Sequence, residues 1–214
     1  MQLISVNVGL PRAVSFDGQT VSTGIFKAPV SGPVMLRRLN LEGDAQADLR
    51  VHGGVDKAVY VYPFEHYAFW AGELRRRDFS HGQFGENFTI TGLLEDMVFI
   101  GDIFQIGAAQ VQVTQPRTPC FKLGIRMGDA RFPAHFAAAN RTGFYVQVLR
   151  EGRVEAGNVI ELIDRAADSI SVRDIFKLRL EGTHAEYAHA LKLDALSAAW
   201  RMAFQKKLLN KETS

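Results

Sequence analysis

The sequence contains a single cysteine, Cys120, among 214 residues. An intramolecular disulfide is therefore excluded, and no set of cysteines at zinc spacing is present. A lone thiol fits a reducing compartment, and we expect the protein to be cytoplasmic.

Long apolar runs are also missing. No stretch approaches the ~20 apolar residues of a membrane-spanning helix, and residues 1–8 lack the basic and apolar regions of a secretory leader. The charge balance is nearly even, with 25 Lys and Arg against 23 Asp and Glu. We therefore expect neither a membrane nor bulk nucleic acid as a partner, while a small anion in one basic pocket stays compatible with this charge.

Standard catalytic and metal motifs are absent as well. The six histidines form no HExxH motif and no His-x-His pair, and the sequence has neither a GxSxG nor a GxGxxG motif. A hydrolase that pairs Cys120 with a base such as His52 would need the two side chains to meet in space, which the sequence leaves open.

Short segments of β-type composition, separated by turn signals, occupy the chain before residue 165. Asp17-Gly18 and Glu151-Gly152 each predict a hairpin, the second one joining the last two strands. Helices are predicted at 64–74 and 133–139. The pattern indicates a mainly β fold, either a barrel or a sandwich. The predicted strands span residues 1–8, 14–16, 20–26, 34–39, 58–62, 87–90, 98–106, 111–114, 145–150 and 159–163.

The pattern becomes helical after Arg165, with helices predicted at 172–178, 184–191 and 194–209 and with Ser171 as an N-cap. We therefore predict a β domain over residues 1–164 and a three-helix extension over residues 165–214. One face of the last helix is apolar, which predicts packing against the rest of the protein. That face consists of Leu196, Ala199, Trp200, Ala203, Phe204 and Leu208.

Cys120 closes a stiff segment that begins at Thr114 and contains Pro116 and Pro119. Proline fixes its own φ and restricts the residue before it, so the thiol follows a pre-shaped stretch of backbone. The nearby cation Arg117 favours the thiolate, which is the form that attacks or binds metal. Cys120 is a candidate ligand or nucleophile; the alternative is a small buried apolar residue.

Two further segments carry polar groups that could contact a ligand. Gly53 and Gly54, between His52 and Lys57, could present backbone N–H groups to an anion, although a tight turn explains the glycines equally. The second segment contains Glu86, a candidate base, and Asn87 and Thr89, which could form hydrogen bonds with a polar ligand. The alternative is that these residues only form a loop and the start of a strand. Lys27 adds one cation in apolar surroundings, and Gly101-Asp102 indicates a turn.

Taken in order, these motifs resemble the MOSC domain family, and within it the YiiM-type proteins, over residues 21–163; the helical tail resembles the three-helix extension of the YiiM type. The residues that carry the resemblance are Lys27, Pro29-Val30, Gly43-Asp44, His52-Gly53-Gly54, Asp56-Lys57-Ala58, Tyr62, Tyr67, Trp70, Phe84-Gly85-Glu86-Asn87, Gly92, Gly101-Asp102 and the run from Gln115 to Lys122.

The resemblance implies a MOSC-type β-barrel that holds a molybdenum cofactor (Mo-molybdopterin), with Cys120 as the protein ligand to the metal. A thiolate is a suitable soft ligand. The pterin carries a phosphate, and the resemblance implies that cations and polar groups of the motifs contact it. The implied cofactor contacts are Lys27, Lys57, Arg117 and the backbone of His52, Gly53 and Gly54, with Asn87, Thr89 and Gln115 as neutral partners.

The resemblance also implies an activity, the reduction of N-hydroxylated compounds, and for YiiM-type proteins the detoxification of hydroxylaminopurine bases. From their polar neighbourhoods alone, we expect His52 or Glu86 to deliver protons. The chain shows no flavin, haem or iron–sulfur ligand set, so a separate electron donor is expected, a flavoprotein reductase. The oligomeric state stays open, a homodimer included.

Two other functions remain open at this point. Cys120 could carry a persulfide in a sulfur carrier or transferase, because MOSC domains also occur at the end of molybdenum-cofactor sulfurases. The same pocket could instead bind the cofactor without turnover, in a binding or carrier module.

Overall fold

The structure, a computed structural model, describes residues 1–47 and 53–212, with only the backbone of residues 210–212. The strands are β1 (Gln2–Val8), β2 (Arg12–Phe16), β3 (Gln19–Thr23), β4 (Ala28–Pro29), β5 (Val34–Leu36), β6 (Val59–Pro63), β7 (Phe88–Thr91), β8 (Ile103–Ile106), β9 (Ala109–Pro116), β10 (Phe144–Arg150), β11 (Gly152–Val154) and β12 (Ile160–Asp164). The helices are α1 (Glu65–Glu73), α2 (Phe121–Met127), α3 (Phe132–Ala138), α4 (Val172–Leu178), α5 (His184–Ala190) and α6 (Ala198–Glu212), with a 3-10 turn at Val55–Lys57.

Eight strands form one sheet in the order β12-β8-β9-β10-β6-β7-β1-β4. The sheet curls until its two ends approach each other: Gln2 in β1 forms an isolated bridge with Val159, and Ile160 N donates to Met1 O at 3.0 Å. The strands β6 and β7 pair in parallel, and the other pairs in this sheet are antiparallel. The predicted fold class, mainly β with interspersed helices, is confirmed.

The Asp17-Gly18 turn is also confirmed. Phe16 pairs with Gln19 across it, and both turn residues have positive φ, 49° for Asp17 and 74° for Gly18. Positive φ at both central positions is the geometry that joins twisted strands most tightly, and it explains why Asp and Gly occupy them.

The hairpin predicted at Glu151-Gly152 is wrong. β10 pairs with β9 and β6, β12 pairs with β8, and Gly152 starts β11, which pairs with β5. A Cβ atom on Gly152 would lie 2.4 Å from the carbonyl carbon of Ala108. This glycine therefore permits a close approach of two backbones and does not form a two-residue turn.

The turn predicted at Gly101-Asp102 is present: Gly101 has φ 93°, and Asp102 accepts a hydrogen bond from Phe99 N at 2.9 Å. Two strand bounds need correction and one helix was missed. Of the predicted strand 98–106, only β8 is strand. The predicted strand 20–26 ends with β3 at Thr23. The helix α2, which begins directly after Cys120, was not predicted; it has seven residues and contains Gly124, so it offers little helical pattern.

The three predicted tail helices are present as α4, α5 and α6, and Ser171 caps α4 by accepting a hydrogen bond from Asp174 N at 3.1 Å. Val172, Phe176, Trp200 and Phe204 belong to the same apolar core as the sheet. The division at residue 165 stays a prediction, but the core runs across it. Within the described residues, no helix combines the length and apolar character needed to cross a membrane.

A second core cluster is aromatic and lies among β6, α1, α2 and α3. Trp70 and Phe136 stack with ring centroids 5.3 Å apart, and the indole N–H of Trp70 donates to the Tyr62 hydroxyl at 2.8 Å. These buried rings form a rigid support behind the loop that carries Arg117.

Candidate functional site

Cys120 opens onto a pocket of about 90 Å³ at the end of β9. Four cations line it, and none of the lining residues in the described part of the chain is acidic. The pocket therefore favours an anionic ligand. It is lined by Thr23, Gly24, Ile25, Lys27, Ala45, Gln46, Ala47, Lys57, Tyr60, Gly85, Asn87, Arg117, Thr118, Cys120, Lys122 and Tyr145.

The thiol lies where the proline segment meets α2. Cys120 is the residue before the helix, with extended backbone (φ −129°, ψ 172°), and its carbonyl accepts a hydrogen bond from Leu123 N at 2.9 Å. The side chain is partly exposed. Cys120 is therefore not fully buried, and it lines the pocket.

Arg117 is buried beside the thiol and is held by several contacts. Its Nη1 donates to the Tyr60 hydroxyl and to Phe84 O, each at 2.9 Å, and its guanidinium carbon lies 4.5 Å above the Tyr60 ring. Burial alone would lower the pKa of Arg117, but the neighbouring phenols and the Cys120 thiol raise it above the ordinary value. Arg117 is thus a fixed positive charge in the wall.

Lys57 approaches the thiol from the 3-10 turn. Its backbone N–H donates to Gly54 O at 3.1 Å, and Gly54 has φ 93°, so the glycine pair shapes the turn that delivers this lysine. Burial lowers the pKa of Lys57, opposed by the charges of Asp56 and Cys120. Gly53 and Gly54 do not line the pocket. His52 lies outside the described residues.

Lys27 lines the pocket, but its charge is balanced. Its Nζ forms a buried ion pair with Asp44, whose other carboxylate oxygen accepts a hydrogen bond from Asn87 Nδ2 at 2.9 Å. Burial lowers the pKa of Lys27, against the raising effect of Asp44. The Asn87 amide also donates to Asn7 O and accepts from Tyr60 N. Lys27 and Asn87 therefore line the pocket and also stabilise the structure of its wall.

Glu86 and Thr89 do not line this pocket. Glu86 is fully buried and accepts hydrogen bonds from Tyr67, from Thr89 and from the backbone N–H groups of Gly82 and Phe84. Burial raises the pKa of Glu86. The Glu86 carboxylate therefore stabilises the loop around it. Glu86 was expected to deliver protons, but it does not line the pocket that contains Cys120, and this expectation is corrected.

Several pocket residues were missed in the sequence. Tyr60 and Tyr145 form a ring pair with centroids 5.2 Å apart, and Lys122 adds a cation two residues after the thiol. Tyr145 had a signal in the alternation of β10, where Phe144 and Val146 are buried in the core and Tyr145 points to the other face. Lys122 had a signal as the last residue of the motif that runs from Gln115 to Lys122, but it was not named as a ligand contact.

A second cavity, which we call the tail chamber, adjoins the pocket between Cys120 and the tail helices and encloses about 280 Å³. It shares Lys57, Thr118, Cys120 and Tyr145 with the first pocket. Of the apolar stripe on the last helix, Leu196, Trp200 and Phe204 are buried as predicted. The stripe's two alanines are exposed and line the tail chamber instead. The lining residues not shared with the first pocket are Gln115, Pro119, Arg179, Ala199, Trp200, Ala203, Phe204 and Lys207.

Comparison with known proteins agrees with this architecture. The MOSC domain matches residues 48–161, which is more than half of the chain. The chain is 46% identical over 209 residues to the uncharacterized protein YflK of Bacillus subtilis, covering 96% of this chain and 93% of that protein. The crystal structure of YiiM from Geobacillus stearothermophilus superimposes with a TM-score of 0.80 at 36% identity, covering 97% of this chain and 98% of that one.

A third relative is a protein named reductase from Gibberella moniliformis, 31% identical over 176 residues. The match covers 81% of this chain and 31% of that longer protein. The matched domain, the high coverage of the bacterial relatives and the superposition of the whole fold agree, and the chain belongs to the MOSC domain family.

Proposed function

We propose that this protein is a molybdenum-cofactor-dependent reductase of N-hydroxylated compounds, with Cys120 as the protein ligand to molybdenum. The observation that carries the proposal is the composition of the pocket. One partly exposed thiol shares it with four cations, and no carboxylate lines it among the described residues.

The donor set suits such a group. A thiolate is a soft ligand for a transition metal, and a phosphate-bearing pterin would find its countercharge in Lys57, Arg117 and Lys122. Lys27 contributes less, since Asp44 neutralises it. Gly24 allows two segments of the pocket wall to pack closely, because a Cβ atom at this position would lie only 2.5 Å from Ala45 O.

The cofactor, when bound, would supply the two-electron redox chemistry. The overall reaction breaks the N–O bond of the substrate and consumes two electrons and two protons, giving the amine and water. The electrons come from a separate donor, for which a flavoprotein reductase remains our expectation. The name reductase of the fungal relative is consistent with this class of reaction.

The chain itself orients the ligand and supplies protons. Lys57 replaces Glu86 as the candidate proton donor, because it lines the pocket and because burial lowers its pKa below the ordinary value. Arg117, with its raised pKa, stays charged and provides electrostatic orientation. Tyr60 and Tyr145, whose rings pack together in the pocket wall, would exclude water on that side of a bound ligand.

The proposal is tested by assaying protein produced with its cofactor against 6-hydroxylaminopurine, using a chemical reductant as the electron source. We expect adenine as product, loss of at least 100-fold in rate for Cys120→Ala, and no change for the exposed Leu180→Ala control. Cofactor binding without turnover would indicate the carrier function. A persulfide on metal-free Cys120, without reduction, would indicate sulfur transfer.

A further inference from the structure

We propose that Thr114 is a positioning residue, which holds Lys57 near Cys120 by fixing the peptide unit that precedes this lysine. The inference deepens the proposed function, in which Lys57 supplies positive charge and a proton, and it rests on that function for the reaction alone. The position of Lys57 can be tested separately, through the binding of a simple anion to protein without cofactor.

A β-bulge sets Thr114 apart from the rest of β9. In the pairing of β9 with β10, Val113 faces Val146 and Gln115 faces Tyr145, so Thr114 is an extra residue between two successive pairs. A bulge frees the backbone groups of its extra residue for other contacts and redirects the side chain. Thr114 is also fully buried, and its polar groups therefore need partners within the protein.

The hydroxyl of Thr114 bonds to the segment that carries Lys57. Its Oγ1 donates to Asp56 O at 2.7 Å, and Tyr145 O lies 3.1 Å from the same hydroxyl. A hydroxyl has one proton to donate, so the shorter contact, to Asp56, is the main bond.

The acceptor of this bond belongs to the peptide unit that joins Asp56 to Lys57. The N–H of the same unit donates to Gly54 O at 3.1 Å, within the 3-10 turn. Because the unit is planar, hydrogen bonds at its carbonyl and at its N–H fix its orientation. They also fix the Cα atom of Lys57, and with it the direction in which the side chain leaves the backbone.

That direction matters because of where the Lys57 side chain lies. Of the cations in the described part of the chain, only Lys57 lines both the Cys120 pocket and the tail chamber. A lysine side chain is a flexible four-carbon stem with a point charge at its end. Its ammonium therefore occupies a defined place beside the thiol only if the backbone below it is held.

The tail is bound to the same bulge through a different group. Ser197 N donates to Thr114 O at 3.2 Å, and Ala198 N donates to the Asp56 carboxylate at 3.3 Å. The sheet, the 3-10 turn and the start of α6 thus meet at Thr114. Removal of the hydroxyl alone breaks the link to the turn and leaves the backbone bond to the tail in place.

The test is isothermal titration calorimetry of the full-length protein, produced without cofactor, with sulfate as the probe at neutral pH. Thr114→Val keeps the shape of the side chain and removes the hydroxyl. We expect it to weaken sulfate binding about fivefold, an effect within the usual range for neighbouring groups that act together. Thr114→Ser keeps the hydroxyl and should bind sulfate like the wild type.

A double-mutant cycle distinguishes positioning from a general structural effect. If Thr114 acts through Lys57, Thr114→Val should not weaken sulfate binding further in a Lys57→Met background. Ser171→Ala removes another buried hydroxyl, outside both cavities, and should leave the affinity unchanged. Circular dichroism establishes that each variant is folded, and Thr114→Ala, which removes the same hydroxyl, takes the place of Thr114→Val if that variant does not fold.

Three results would overturn the proposal: wild-type affinity in the variants that lack the hydroxyl, equal weakening with and without Lys57, or failure of Thr114→Ser to restore binding. The proposed function is judged by a different result. If sulfate binding changes as expected but the cofactor-loaded protein reduces no N-hydroxylated compound, the proposed function is refuted and the positioning role of Thr114 stands.

Discussion

The ammonium of Lys27 and the carboxylate of Asp44 form a buried ion pair in the wall of the pocket that Cys120 lines. Asp44 also accepts hydrogen bonds from Gly9 N and Asn87 Nδ2, both at 2.9 Å. One carboxylate thus joins three separate segments of the chain and neutralises one of the four pocket cations.

Removal of Asp44 alone should be strongly destabilising, because it leaves the Lys27 ammonium buried without a counterion. We expect Asp44→Leu to reduce the free energy of unfolding by about 3–5 kcal/mol. The double variant Lys27→Met/Asp44→Leu removes both charges and should be more stable than Asp44→Leu. Urea denaturation measures both values, and a double variant less stable than Asp44→Leu would contradict the compensation of Lys27 by Asp44.

Arg117 and Tyr60 should be energetically coupled. Arg117→Lys keeps the charge but cannot reproduce the two hydrogen bonds of Nη1, and we expect a loss of about 1.5–3 kcal/mol in the free energy of unfolding. Tyr60→Phe keeps the ring and removes the hydroxyl. A double-mutant cycle should show a coupling of at least about 0.5 kcal/mol, and strict additivity would mean that the contact contributes nothing.

Anion binding should weaken with rising pH because of Lys57. Its lowered pKa means that the folded protein loses this positive charge at a pH below the ordinary value of 10.5. Affinity for sulfate should therefore be highest near neutral pH and fall as the pH rises through that lowered pKa. Sulfate suits the test because its own charge stays constant in this range.

Two variants isolate the effect of Lys57 in calorimetric titrations. A Cys120→Ser background removes ionisation of the thiol, and Lys57→Met in that background should reduce the decrease in affinity between neutral pH and about 10.5. The remaining decrease comes from Lys27, which lines the same pocket and also has a lowered pKa. Lys192→Met, an exposed position outside both cavities, should leave the decrease intact. An unchanged profile in Lys57→Met would assign the pH dependence to another group.

The tail should unfold together with the sheet, since they share one core. Phe204 is fully buried in that core, and we expect Phe204→Ala to reduce the free energy of unfolding by about 3–5 kcal/mol in a single transition. Leu180→Ala, at a side chain that is 79% exposed, should change stability by less than about 0.5 kcal/mol. Separate transitions of sheet circular dichroism and of Trp200 fluorescence, recorded in a Trp70→Phe background, would contradict the shared core.

Local signals predicted local structure well. Asp17-Gly18 specified its hairpin because the turn needs positive φ at both residues. Ser171 specified the start of α4 because its hydroxyl accepts a backbone N–H of the first turn. Cys120 was identified as the central residue from its proline-rich segment and from the order of the family motifs, and the structure places it at a basic pocket.

Contacts between distant segments could not be predicted in the same way. Gly152 resembles a turn glycine, but it serves the approach of Ala108, 44 positions earlier. Glu86 has the chemistry of a base, yet four donors from its own neighbourhood bury it away from the thiol. Ala203 lies on an apolar stripe, and only the packing of the tail shows that it lines a cavity.

The most direct test of Cys120 as the metal ligand is the molybdenum content of the purified protein. The protein is produced in cells that supply the cofactor, and the metal is quantified by mass spectrometry. We expect about one atom per chain in the wild type and close to none in Cys120→Ser, while the thermal unfolding of the cofactor-free forms stays the same. Retention of molybdenum by Cys120→Ser would contradict the assignment of this thiol as the metal ligand.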